Sequence, residues 1–265
     1  MSTAVFEKVL TTTGLKSGIL NTLRILFITR SKEGDFMFVV TFIVGSILGS
    51  FLNLCAARWF VGGSCCWPRS TCPNCHQPLR WYDLIPIINQ VWLRQRCRFC
   101  QRPLALDWPL ETCAGLLAAS GLILPLFWQP YWWLLCGFYY LFAVMDLRQH
   151  AILLTPFLVG SSVCILLHCG YYHQPLHVLS ALFSAGIFYS FASLTHSFGA
   201  GDCDFLVLQC GLFGWQIGLQ ILAFACTLCL LTYCPLHRYL PRQIPFIPYL
   251  ATATLGCLYY QLIPL

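Results

Sequence analysis

Charge is what this chain lacks. Only 9% of its 265 residues are Asp, Glu, Lys or Arg, against about 25% in ordinary soluble domains. With 58% of its residues hydrophobic, a soluble globule could not cover its own surface with polar groups. A bilayer removes that requirement, and several apolar runs reach about 20 residues, the length that crosses a hydrocarbon core. Acidic residues are scarcer still. There are nine, and after Glu111 only Asp146, Asp202 and Asp204 remain. More than half of the chain therefore holds very few groups for acid–base work. No segment shows the basic stretch, short apolar core and small-residue cleavage site of a signal peptide. No internal repeat is visible, which weighs against carriers built from inverted repeats.

The runs that are present predict an all-α polytopic membrane protein of seven or eight transmembrane helices. Residues 1–36 form a polar N-terminal extension with Lys8, Lys16, Arg24, Arg30 and Lys32 against Glu7, Glu33 and Asp35. The first transmembrane helix is expected at 37–57, beginning at the internal Met37. A polar, basic, Cys- and Pro-rich loop follows at 58–111, and an apolar domain fills 112–265. Within that domain, spans are expected at about 112–128, 131–145, 151–169, 178–197 and 246–263. The stretch 205–234 is long enough for two short spans hinged near Gly214.

The net charge of +6 is concentrated. Seven Arg lie between residues 58 and 102, with Asp83 as their single acidic neighbour. In a soluble protein such a segment points to nucleic acid. Beside apolar spans it marks a cytoplasmic loop, because Lys and Arg are retained on that side. Counting crossings from there puts Trp128-Gln129-Pro130 outside, Asp146 and Arg148 inside, and residues 171–176 outside. The segment holding Asp202 is then inside again, as is the loop with His237, Arg238 and Arg242. The extension 1–36 conflicts with this topology, since it would carry five Lys or Arg outside.

Most of the 17 Cys, among them Cys113, Cys136, Cys164, Cys226, Cys229 and Cys257, sit in apolar spans and read as small buried hydrophobes. Four are different. Cys72-Pro73-Asn74-Cys75 and Cys97-Arg98-Phe99-Cys100 are two pairs, each with two residues between. Each pair forms a tight turn that aims two thiolates at one ion, and two such turns complete a tetrahedral zinc site. Against four unrelated cysteines in a Cys-rich chain, the paired spacing favours zinc. Four sulfur ligands leave no open position, so the expected role is structural. His76 is not needed for coordination, Cys65 and Cys66 have no second pair, and no disulfides are expected in a reducing cytoplasmic loop.

Asp146 follows the apolar run Leu141-Phe142-Ala143-Val144-Met145, and Asp202 ends Gly199-Ala200-Gly201-Asp202 directly after a span. A carboxylate at the membrane is costly unless it faces protein or water. Two carboxylates brought together share a proton near neutral pH. The ionised one then acts as a base on water while the protonated one assists a carbonyl. The blander alternative makes Asp146 an interfacial residue near Arg148 and Asp202 a turn residue. A proton-coupled transporter with a zinc-stabilised cytoplasmic loop is the competing function class.

Together these residues resemble the type IV prepilin peptidases, membrane aspartyl proteases of the Gly-x-Gly-Asp type. Gly49-Ser50-Phe51-Leu52-Asn53 with Arg58 looks like that family's first-span signature. Trp81-Tyr82-Asp83-Leu84-Ile85-Pro86 lies between the two Cys pairs, as the family's loop has it. Leu106-Asp107-Trp108-Pro109-Leu110-Glu111, Met145-Asp146 and Gly199-Ala200-Gly201-Asp202 follow in the family's order. The likeness runs from about residue 37 to 265. It implies Asp146 and Asp202 as the catalytic pair of an aspartic endopeptidase (a hydrolase). Cys72, Cys75, Cys97 and Cys100 become zinc ligands. The bacterial cytoplasmic (inner) membrane is the location, with the aspartates at its cytoplasmic face. The implied substrates are prepilin or pseudopilin precursors, cleaved after the Gly that ends a short basic leader. The implied partners are those precursors and the lipid bilayer, with no nucleic acid. Many members also N-methylate the new N-terminus with S-adenosylmethionine. Two positions depart from the pattern. Asp204 stands where the family usually has Lys, and Ile152-Leu153-Leu154-Thr155-Pro156 lacks a common acidic residue. Both departures resemble the late-competence enzymes of Gram-positive bacteria more than those of secretion systems.

The charge conflict and the internal Met37 together predict that residues 1–36 are dispensable. A chain starting at Met37 should insert and cleave a prepilin at the full-length rate. A well-expressed truncation without activity would show that the extension has a role.

Overall fold

The structure, a computed structural model, describes residues 17–65, 67, 69–72, 74–80, 83, 94, 96–103, 108–120, 130–171, 173–195, 199–236 and 244–262. Among the sequence readings, Trp81, Tyr82, residues 84–86, Leu106, Asp107, Trp128, Gln129, His237, Arg238 and Arg242 lie outside the described residues, as does Cys66. Among the described residues there are eight α-helices, and the only β pairing is two isolated bridges. The helices are α1 (Ser17–Phe60), α2 (Trp108–Ser120), α3 (Pro130–Gln149), α4 (Leu154–Leu166), α5 (Val178–Thr195), α6 (Ala200–Phe213), α7 (Trp215–Leu236) and α8 (Ile247–Leu262). A single π-helical turn, Leu167–Tyr171, prolongs α4.

Among the described residues, three segments are long and apolar enough to cross a membrane: Phe36–Phe60 within α1, Val178–Thr195, and Trp215–Tyr233 within α7. The apolar helices Leu154–Gly170 and Ile247–Leu258 are shorter. Burial on α5 runs opposite to that of a soluble helix. Its buried positions are Ser184 and Phe188, while Leu179 is 83% exposed and Leu194 81%. Such a surface is stable only against an apolar solvent, since leucine in water forgoes the gain from burial. The apolar segment Phe36–Phe60 coincides with the expected first span; helix α1 extends N-terminally beyond it, from Ser17, without a break at Met37.

The helix ends follow local chemistry. Pro130 opens α3 at a first-turn position where its missing N–H costs nothing, and Pro248 sits in the first turn of α8. Gly214 has φ +86°, a left-handed conformation that a side chain would strain. It splits the apolar stretch 205–234 into α6 and α7 at the expected hinge.

In packing, α1 lies on α2 and α3, α3 on α8 and α4, and α7 bridges α6 to α8. Helix α5 covers α6. The halves meet at an aromatic cluster. Phe205 of α6 contacts Phe138 and Phe142 of α3 (both 5.5 Å between ring centroids) and Phe157 of α4 (5.2 Å).

Small residues set the α1–α2 approach, as is common where lipid supplies no hydrophobic drive between helices. A Cβ on Gly49 would lie 2.3 Å from the Ala114 Cβ, an atom that moves only with its backbone. Gly137 on α3 has open space around it. Gly49→Val should therefore destabilise the bundle by about 1–3 kcal/mol, whereas Gly137→Ala should be neutral. Thermal unfolding in detergent checks both. Equal melting temperatures for the two variants would show that the α1–α2 contact is not close-packed.

Candidate functional site: a four-cysteine cluster and a membrane-edge carboxylate pair

The loop after α1 begins with a clamp. Arg58 in the last turn of α1 reaches past the helix end, and its Nη1 donates to the carbonyls of Ser64 (3.2 Å) and Cys65 (3.1 Å). Two knuckles of the same design follow. In the first, Cys72 N–H donates to Gln77 O, His76 N–H donates to Cys72 O, and Thr71 bridges Pro78. In the second, Cys97 N–H donates to Arg102 O, Gln101 N–H donates to Cys97 O, and Arg96 bridges Pro103. His76 and Gln101 hold equivalent places, with φ +55° and +58°. His76 thus turns the backbone, and the convergent group consists of the four cysteines without it.

The four sulfurs converge. All lie within 4.8 Å of one another, with Cys72 Sγ 3.8 Å from Cys100 Sγ and Cys75 Sγ 3.8 Å from Cys97 Sγ. Zinc–sulfur bonds of about 2.3 Å in a tetrahedron require sulfurs about 3.8 Å apart, so the cluster could hold a metal ion of that size. The thiols repel as they ionise. Backbone N–H groups of Cys75 and Asn74 pull the Cys72 thiol down to about 6. The Gln77 N–H acts in the same sense on Cys75, but desolvation and the three neighbouring sulfurs outweigh it and push that thiol up to about 11. Only a bound cation lets all four exist as thiolates together. Asp83 joins the knuckles: it is 2% exposed, and its Oδ1 accepts from Arg98 Nη2 at 2.8 Å, inside the second Cys pair.

The first-span signature is used in packing. Tyr140 of α3 donates to Asn53 Oδ1 (2.9 Å), a buried bond between α3 and α1.

The second site lies where α3 ends and α6 begins. Asp146 occupies the last turn of α3 and is buried; its main-chain carbonyl accepts the His150 N–H as the helix closes. Asp202 occupies the first turn of α6, partly buried, and its N–H donates to Gly199 O. The two carboxyl groups are near enough to interact electrostatically. The flanking glycines make room. A Cβ on Gly199 would sit 3.1 Å from Asp202 Oδ2, and one on Gly201 would sit 2.6 Å from Ile152 Cδ1. Asp204 turns away from this pair and accepts a hydrogen bond from the Tyr189 hydroxyl of α5.

One participant was not foreseen. Asp146 Oδ2 accepts the backbone N–H of Ile247 (3.0 Å), the first residue of α8 and 101 positions away in sequence. The start of a helix presents unpaired N–H groups and the positive end of its dipole. The one signal in the sequence is Ile244-Pro245-Phe246-Ile247-Pro248, whose prolines announce a helix start without saying what it faces.

Residues 43–124 match the model of the Bacterial Peptidase A24 N-terminal domain. A prepilin leader peptidase/N-methyltransferase of Dickeya chrysanthemi is 30% identical over 256 residues, covering 80% of this chain and 88% of that one. The chain belongs to the prepilin leader peptidase/N-methyltransferase family. The Myxococcus xanthus member is 42% identical over 85 residues, but that match covers 32% of this chain and only 25% of the relative. A type 4 prepilin-like proteins leader peptide-processing enzyme of Escherichia coli is 27% identical over 84% of this chain and 94% of its own. No solved structure matches. The matched domain includes all four knuckle cysteines, while Asp146 and Asp202 lie beyond it.

In this family member the cluster should retain about one zinc ion per chain. Cys97→Ser with Cys100→Ser should abolish it, as read by metal analysis of the purified protein. Protons compete for thiolates, so zinc should be held at neutral pH and released on acidification. Undiminished metal in the double variant would remove the cluster as its site.

Proposed function

We propose that this chain is an intramembrane aspartyl endopeptidase that removes the short basic leader from type IV prepilin-like or pseudopilin precursors. The observation that carries the proposal is the pairing of Asp146 and Asp202 at adjoining helix ends. Family membership supplies the substrate class, because the relatives are named for prepilin leaders. In this reading the eight helices form seven or eight spans in the bacterial cytoplasmic membrane. The Arg-rich loop and both aspartates lie at the cytoplasmic face, where a basic leader would lie. Cleavage follows the Gly that ends the leader. A structural zinc ion ties the two knuckles together and leaves the chemistry to the aspartates.

The carboxyl groups divide the work. Asp146 Oδ2 is held as an acceptor by the Ile247 N–H, so that oxygen does not carry the shared proton. We assign Asp146 as the base and Asp202 as the acid. Asp146 removes a proton as the water oxygen bonds to the scissile carbonyl carbon, and Asp202 donates its proton to the carbonyl oxygen. Collapse of the resulting gem-diol breaks the C–N bond as one of its hydroxyls returns a proton to Asp202 and the proton held by Asp146 passes to the leaving amine, which restores the starting pair. No residue is assigned to S-adenosylmethionine; N-methylation of the product is the second activity that the relatives' names carry.

Asn keeps the shape of Asp but can neither take nor hold this proton. Asp146→Asn and Asp202→Asn should each lower turnover by about 10²- to 10⁴-fold, the range that general acid–base groups supply. Asp204→Asn should still cleave. Each variant is co-expressed with a prepilin and leader loss is read as a gel shift; the product mass reports methylation at once. An active Asp202→Asn beside a dead Asp204→Asn would transfer the role to Asp204. Normal cleavage by all three would end the protease reading and favour proton-coupled transport.

A further inference from the structure

Away from the carboxylate site, α3, α6 and α8 present polar groups to each other a second time. Tyr139, Gln209 and Thr254 come from the same three helices, and all are fully buried. Gln209 Nε2 donates to Thr254 Oγ1 at 2.6 Å, and the Thr254 hydroxyl donates onward to Leu250 O at 2.7 Å. The Tyr139 hydroxyl lies beside both Gln209 and Thr254. Two polar atoms of this layer have no partner yet, Tyr139 Oη and Gln209 Oε1. One is a phenol donor and the other an amide acceptor, so the two groups are chemically complementary.

The spacing ties this layer to the aspartates. Tyr139 precedes Asp146 by seven residues, Gln209 follows Asp202 by seven, and Thr254 follows Ile247 by seven. Seven residues are almost two full turns, about 10.5 Å along each axis and back on nearly the same face. The polar layer therefore repeats the carboxylate layer on all three helices, two turns deeper in the bundle. What lies between is apolar and fully buried: Phe142 and Met145 on α3, Phe205 and Leu206 on α6, and Leu250 on α8. Such packing carries position and excludes a chain of waters.

The backbones of α6 and α8 barely approach each other, while α7 packs against both. The Gln209–Thr254 bond is thus a direct tie between the helix of Asp202 and the helix whose start holds Asp146. We propose that Tyr139, Gln209 and Thr254 form a positioning layer that fixes the register of α3, α6 and α8. This proposal rests on the peptidase reading for its kinetic consequence. The layer touches no substrate; it acts through α8, keeping the Ile247 N–H on Asp146 and Asp146 opposite Asp202.

The test compares Gln209→Leu with the triple variant Tyr139→Phe, Gln209→Leu, Thr254→Val, in which no polar group is left unpaired. The triple variant keeps the experiment decisive where Gln209→Leu does not fold. The first readout needs no activity: amide hydrogen exchange of the segment 244–250 in detergent-purified protein. Both variants should exchange faster there, while the knuckle segment 70–79 stays as in the wild type. The second readout is cleavage of a synthetic prepilin. kcat per folded molecule should fall about tenfold or more, as misplacement of reacting groups by a fraction of an ångström does. KM should be unchanged, and at least one limb of the pH–rate profile should move because the carboxyl separation sets their interaction. A purely structural layer would lower the melting temperature and leave both the profile and kcat per folded molecule alone. Wild-type exchange at 244–250 in the folded triple variant would overturn the proposal. Absence of cleavage by the wild-type protein would instead sink the peptidase reading and leave the exchange result to decide the layer.

Discussion

Inside a bilayer a polar atom has no water to turn to, and the described part of this protein is organised by that constraint. Three buried polar side chains, Asn53, Asp146 and Gln209, find partners on another helix, and those few bonds tie particular helices together. Asn53 draws α3 onto α1 through Tyr140. Asp146 draws the start of α8 onto the end of α3. Gln209 ties α6 to α8. Apolar packing alone would leave helices free to slide, because lipid tails are as apolar as the side chains they replace. Phe205 and its aromatic neighbours fill the centre, but ring stacking tolerates small shifts along the axis that a hydrogen bond does not.

The loop after α1 meets the opposite constraint. It has too little apolar sequence to build a core. There the organising feature is the convergence of the four sulfurs, which two knuckles of one backbone design bring together. The Asp83–Arg98 ion pair belongs to the same logic. A carboxylate that is 2% exposed needs a cation against it, and the cation here is part of the second Cys pair. The two regions are joined through α1, whose last turn supplies the Arg58 clamp to the loop and whose middle supplies Asn53 to the bundle.

Much of this was legible in the sequence because it is local. The Cys spacings name their own turns, Gly214 breaks its helix where the apolar run is too long for one short span, and both aspartates fall at helix ends as the apolar runs imply. The rest is not local. Nothing near Asp146 in the chain says that Ile247 will meet it, since a helix start offers its N–H groups whatever residue stands there. Gln209 and Thr254 read as isolated polar residues in apolar runs. Their seven-residue offsets from Asp202 and Ile247 acquire meaning only once three helices stand side by side.

Asp204 shows how the same constraint disposes of a residue that the family pattern does not predict. Replacing Lys by Asp two positions after Asp202 reverses a charge close to the carboxylate pair. Two residues turn a helix by about 200°, so the new carboxylate leaves the pair's face and points toward α5. The neighbouring helix supplies the Tyr189 hydroxyl as a donor, which a Lys at 204 would have met as a competing donor. The substitution is thus accommodated between α5 and α6, at the back of the helix that carries Asp202. The inner face of α6, from Asp202 through Phe205 to Gln209, keeps the surroundings that hold it against α3 and α8.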